Sequence, residues 1–107
     1  MSQDITVQRI FAKLTERFNA DNAVGLEAVF QFAIEDADSF YFDVRQQQLS
    51  AEWGEHKDPD ITLRLSEETL VRVIMGEQDG MSAYMKGLLR AEGNVMLATR
   101  LGKLFKS

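Results

Sequence analysis

The chain has 107 residues, 45% of them hydrophobic and 27% charged, with no cysteine and a formal net charge of −5. This composition excludes a disordered chain, a disulfide framework and a thiolate metal site, and the acidic balance speaks against nucleic-acid binding. The length suits one domain over residues 1–107, and neither a ~20-residue apolar run nor a signal-type start appears, so a cytoplasmic protein is expected.

Residues 4–18, the body of an N-terminal segment 1–18, read as an amphipathic helix. Val7, Ile10, Phe11, Leu14 and Phe18 recur at helical spacing. Asn19-Ala20-Asp21-Asn22 breaks the helix, and Gly25 adds a turn. The period then changes from helical to two. Phe30, Phe32 and Ile34 alternate with polar or small residues, as do Phe40, Phe42 and Val44, then Leu49, Ala51 and Trp53, then Ile61, Leu63 and Leu65. Asp36-Ala37-Asp38-Ser39 and Gln46-Gln47 mark short turns, and Gly54 and Pro59 mark a longer loop. Residues 27–65 are therefore expected to form an antiparallel four-strand meander, oily on one face and wet on the other.

Residues 66–107 read as helices plus a last strand. Ser66 suits an N-cap, with Glu67 and Glu68 in the first turn and Gly76 at the end. Asp79-Gly80 opens a short helix that Gly87 closes. A fifth strand fits residues 88–92. Gly93-Asn94 breaks the chain again, with Asn94 as the cap of a final helix whose stripe is Leu97, Leu101, Leu104 and Phe105. The sum is an α+β fold, a five-stranded, mainly antiparallel sheet with helices packed on one face.

The second half carries a pattern that joins several elements. Pro59-Asp60-Ile61-Thr62-Leu63-Arg64-Leu65 is followed by a helix ending on Gly76. Then comes Ser82-Ala83-Tyr84-Met85-Lys86-Gly87-Leu88-Leu89-Arg90-Ala91-Glu92-Gly93-Asn94-Val95-Met96-Leu97-Ala98. This order resembles the sterol carrier protein domain, the non-specific lipid-transfer family, with Gly87, Leu89, Arg90, Gly93, Asn94 and Ala98 fitting its pattern. The likeness covers roughly residues 20–106. The chain departs from many members at Gly80, where they have proline, at Leu88, where they often have lysine, and at Ala91, smaller than the usual isoleucine or valine. It ends Leu104-Phe105-Lys106-Ser107, without the peroxisomal signal of many eukaryotic members, so a free-standing bacterial-type version is expected. The resemblance implies an apolar tunnel between the sheet and the C-terminal helices. It also implies binding of fatty acids, acyl-CoA, sterol-like or quinone-type lipids without covalent chemistry. Some bacterial relatives act as accessories in quinone synthesis.

The residues themselves carry little catalytic promise. His56 is the single histidine, there is no cysteine, and no nucleophile elbow precedes a serine. Asp36-Ala37-Asp38-Ser39 begins like a calcium loop, but Tyr41 stands where the turn glycine belongs. Gly87 and Gly93 do not make a phosphate-cradling loop. The expectation is a non-enzymatic protein without metal or cofactor.

Binding residues are more legible. Met75, Met81, Met85 and Met96 fall within 22 residues, and methionine suits adaptable apolar sites as well as plain core. With the resemblance, they point to a cavity. Its expected wall is Phe32, Phe42, Leu70, Ile74, Met75, Met81, Tyr84, Met85, Leu97, Leu101, Leu104 and Phe105, and the final helix, following Gly93, is its expected gate.

Charge is uneven. Lys86, Arg90, Arg100, Lys103 and Lys106 face only Glu92 in the last 22 residues. The plain reading is complement to helix dipoles. The functional reading assigns Arg90, Arg100 and Lys103 to an acidic head group or a membrane surface. Partners then include a hydrophobic small molecule and a membrane or lipid-metabolising enzyme, with self-association left open. The alternative is an accessory module that docks its oily helix face on such an enzyme.

Overall fold

In the computed structural model, which describes residues 6–105, helical and period-two patterns become ten elements. They are α1 (Val7–Arg17), a 3-10 turn (Ala20–Ala23), β1 (Ala28–Ile34), β2 (Phe40–Arg45), β3 (Gln48–Trp53), β4 (Ile61–Leu65), α2 (Glu67–Ile74), α3 (Gly80–Met85), β5 (Leu89–Gly93) and α4 (Met96–Leu104). The first residues expected in α1, and Lys106 of the basic tail, lie outside the described residues.

The sheet runs β3-β2-β1-β4-β5. Three of its pairings are antiparallel, as expected, but β4 lies parallel to β1, with Phe32 opposite Leu63. The four-strand meander is therefore corrected to a three-strand meander and a crossover. Period-two patterning fixes which face each residue joins and leaves the partner strand open.

Two polar residues specify the crossover. Gln31 alternates with Phe30 and Phe32, so it points away from the oily face. It is only 4% exposed. Its Nε2 donates to the carbonyls of Phe40 (3.1 Å) and Gly54 (3.0 Å), and its Oε1 accepts from the His56 N–H (2.7 Å). The connection through residues 54–60 thus crosses the outer face of the sheet. At its far end Asp60 Oδ2 accepts from the Val29 N–H (2.7 Å) while Asp60 N–H donates to the Val29 carbonyl (3.0 Å). The His56 ring meets Tyr41 edge-on, centroids 5.0 Å apart.

The core lies on the other face. Phe30, Phe40, Phe42, Val44 and Ile61 are fully buried beneath Val7, Ile10 and Leu14 of α1. Phe11 stacks on Trp53 (centroids 4.4 Å) and meets Phe40 edge-on. Trp53 is inward-facing yet 42% exposed, because it ends an edge strand with little beyond Phe11 to cover it.

The helix caps follow the sequence in part. Ser66 Oγ accepts from the Thr69 N–H, and Asp79 Oδ2 from the Ser82 N–H. Thr6 does not cap α1 with its side chain. Instead Glu67 Oε2, from the first residue of α2, accepts the Val7 N–H at 2.7 Å. The Glu67 N–H in turn donates to Asp36 Oδ1 at 2.8 Å. Both positive helix ends thus meet a carboxylate.

At the start of α4, Asn94 serves through its backbone. Its carbonyl accepts from the Leu97 N–H, and its N–H donates to the Asp60 carbonyl. Gly93 has φ +97°, and a Cβ there would stand 2.6 Å from the Asp60 carbonyl oxygen. Phe105, expected on the α4 stripe, is extended instead (φ −126°) and bridges antiparallel to Phe18.

Gln31→Leu is expected to lower unfolding free energy by about 2 kcal/mol or more, because three backbone groups lose their partner. Gly93→Ala is expected to cost roughly 1–3 kcal/mol through strain and contact with Asp60. Urea unfolding of each variant checks both.

Candidate ligand-binding cavity

The inner face of β1, β4 and β5 is only partly filled by the helices above it. A cavity of about 550 Å³ remains, walled by Phe32, Leu63, Leu89 and Ala91 from the sheet. α1 adds Leu14 and Arg17, α2 adds Val73 and Ile74, and α3 adds Gly80, Met81 and Tyr84. From the C-terminal segment come Val95, Ala98, Thr99, Leu101, Gly102 and Phe105.

The space has a local origin. Ala98, Leu101 and Gly102 fall at i, i+3 and i+4 along one face of α4, and two of the three are small. Gly80 on α3 and Ala91 on β5 face the same space. Large side chains at these positions would fill it, as in an ordinary core. Met81 and Tyr84 line the cavity yet are 63% and 51% exposed, and Val95 is also open to solvent. The mouth therefore lies between α3 and the start of α4.

Of the twelve expected wall residues, Phe32, Ile74, Met81, Tyr84, Leu101 and Phe105 border this cavity. The other six stand elsewhere. Phe42 is sealed under Phe11 and Phe105, and Leu70 and Leu104 are buried in the core. Leu97 packs against that core from its edge. Met75 caps α2, and Met85 ends α3 pointing to solvent, 78% exposed. Apolar periodicity marks a buried face without separating packed residues from cavity walls.

None of the three expected head-group cations borders the cavity. Arg90 alternates with Leu89 and Ala91, so it projects from the outer face, opposite Arg64. Arg64 itself is paired there with Glu92 at 3.0 Å, and that hydrogen bond raises its pKa above the ordinary arginine value. Arg100 and Lys103 lie on α4 outside the wall, and the Lys103 carbonyl accepts from Asn22 Nδ2. Among the described residues the cation in the wall is Arg17, from the last turn of α1. The expected wall missed the small residues Gly80, Ala91, Ala98 and Gly102, which a search for large hydrophobes passes over, and also Leu14, Leu63, Val73, Leu89 and Val95, which apolar patterning does not separate from packed core.

Among the described residues the wall holds no carboxylate, histidine or cysteine. Among the described residues no group of three or more His, Cys, Asp or Glu could hold a metal ion, and no helix is long and apolar enough to cross a membrane. The arrangement can receive an apolar body and contact it with one guanidinium and the Tyr84 and Thr99 hydroxyls.

The model of the SCP-2 sterol transfer family matches residues 8–106. The chain belongs to that family, whose members are associated with lipid binding or transfer. Hydroxysteroid dehydrogenase-like protein 2 of Bos taurus is 28% identical over 101 residues, covering 92% of this chain and 24% of that protein. The chain thus spans about a quarter of the length of that curated relative. Among solved structures, palmitated SCP2L2 from Aedes aegypti superposes with a TM-score of 0.77 at 23% identity, covering 92% of this chain and 93% of the other. The sec-alkylsulfatase Pisa1 from Pseudomonas sp. gives 0.85 at 23% identity, covering 96% of this chain and 17% of the other. These two likenesses concern the fold.

Ala98→Leu is expected to fill part of the cavity. It should raise the stability of lipid-free protein by about 1 kcal/mol and lower its capacity for an alkyl ligand. Chemical unfolding and ligand titration of the same preparation check the two effects.

Proposed function

We propose that the chain binds and carries a hydrophobic small molecule, a fatty acid, acyl-CoA, sterol-like or quinone-type lipid, without chemically altering it. The observation that carries this reading is the cavity of about 550 Å³ with a predominantly apolar wall. Its size falls within the range of roughly 300–1,000 Å³ typical of small-molecule sites. Burying each methylene stabilises a complex by about 0.8 kcal/mol, so a long alkyl chain recovers on the order of 10 kcal/mol before ordering costs. An empty cavity forfeits packing, so ligand and fold support one another.

A second reading, an accessory module docking on a lipid or quinone biosynthetic enzyme, is favoured by one observation. Met81, Met85 and Met96 expose 63%, 78% and 71% of their surfaces around the mouth. Methionine-rich exposed surfaces suit adaptable partners. Longer relatives of the chain fit a lipid-handling unit joined to another activity.

Delipidated protein is expected to melt at a higher temperature when fatty acid, sterol or a quinone precursor is added. At a hundredfold excess over Kd the gain corresponds to about 2.7 kcal/mol. Native mass spectrometry separates the readings. Copurifying lipid in a folded monomer supports carriage, whereas an empty, lipid-indifferent species with unchanged melting supports the docking module.

A further inference from the structure

β5 is an edge strand whose free side matches itself. The Leu65 carbonyl accepts from the Glu35 N–H, so Ile61, Leu63 and Leu65 turn their backbone groups toward β1. Thr62 and Arg64 turn theirs toward Glu92 and Arg90 of β5. The bond from the Asn94 N–H to the Asp60 carbonyl continues that ladder. Leu89 and Ala91 therefore direct their N–H and carbonyl groups off the edge of the sheet. On the outer face, Arg90 stands directly across from Arg64, a repulsive pairing, and forms none of the ion pairs found among the described residues. Glu92 lies two positions on, exposed on the same face. Charges of one sign on an edge strand guard it against pairing. Opposite charges two residues apart invite it in one arrangement, antiparallel and centred on Ala91, where Arg90 of each copy stands opposite Glu92 of the other.

We propose that β5 pairs with β5 of a second copy of this chain about a two-fold axis at Ala91, joining the two five-stranded sheets edge to edge. Ala91 exchanges both backbone bonds with Ala91 of the other copy. Arg90 and Glu92 then form a closely spaced cross-strand pair on either side of the axis. Each Arg90 gains a carboxylate, and each Glu92 bridges Arg64 of its own chain and Arg90 of the other. The opposite edge, β3, carries Glu52 and no cation, so it has no such self-match. The axis stands perpendicular to the sheet, which keeps both helix layers on one side. α3, which packs on β5, is brought near its counterpart, and exposed Tyr84, Met85 and Leu88 lie beside the seam. The pairing is independent of whether the cavity carries a lipid.

A five-residue seam is small, so association is expected to be weak, half complete on the order of 100 µM. Sedimentation equilibrium of the full chain from about 10 µM to about 1 mM should show the mass doubling. Arg90→Glu and Glu92→Arg each set like charges across the seam and should weaken association roughly tenfold or more. Mixed in equal amounts, these two variants should associate about as tightly as wild type, because every charge again faces its opposite. The double variant carrying both exchanges should do so by itself. Circular dichroism checks that each variant is folded. A wild type that stays monomeric at the highest concentration overturns the proposal. Unchanged association in the single variants also overturns it, moving the contact to another surface. A mixture and a double variant no tighter than the single variants overturn it as well. None of these outcomes bears on carriage, which titration of the same protein with a fatty acid reads separately.

Discussion

The architecture depends on one crossing of the chain over the sheet. Residues 54–60 leave the end of β3, pass the outer face, and start β4 beside β1. A buried amide and a carboxylate hold that path. Gln31 holds its beginning and Asp60 its end. If β4 had paired with β3 instead, β5 and α4 would follow it to the opposite edge, and the helices would cover a different set of inward side chains. Asp60 serves twice, because its carbonyl also receives the Asn94 N–H and presses against Gly93. The same residue that sets the strand order therefore sets where α4 begins.

The inner face is divided by the size of its side chains. Toward β2 and β3, aromatic rings interlock, with Phe32 and Phe40 stacked at 4.7 Å and Phe11 wedged above Phe40 and Trp53. Toward β4 and β5 no ring faces inward: Ile61, Leu63, Leu65 and Leu89 are aliphatic, and Ala91 and Gly93 are small. Close packing rules on the first half and fails on the second by composition, without distorting the backbone. A domain of this length rarely sacrifices core contacts without some return, and occupancy by an apolar ligand supplies one.

Much of this was legible in the sequence. Alternation identified the inward residues of the first four strands except Ala28 at the start of β1, and Ser66, Asp79, Gly76, Gly87 and Gly93 marked element ends correctly. What stayed hidden was relational. Period two cannot say whether Ile61, Leu63 and Leu65 lie beside Trp53 or beside Phe32. Helical spacing cannot say that Leu104 is packed solid while Leu101 borders open space. The cavity wall includes small residues and Arg17, which apolar counting discards, beside Leu14, Leu63 and Leu89, which it finds without telling them from packed core, and the visible methionines Met75 and Met85 turned outward. The lesson is that a cavity is recorded by what is small at core positions as much as by what is large.

The hydrogen bond from Val7 N–H to Glu67 joins α1 to α2 across sixty positions of sequence. Both helices contribute to the cavity wall, so the bond makes that side a single mechanical body. α4 is moored at both ends, by Asn94 to Asp60 and by Leu104 to Asn19 at 2.6 Å. Only α3, six residues between two glycine-bearing turns, lacks such a tether among the described residues. The domain is thus built like a hinged box with three fixed panels, and the short helix carrying Met81 and Tyr84 is the panel free to yield to a guest of uncertain shape.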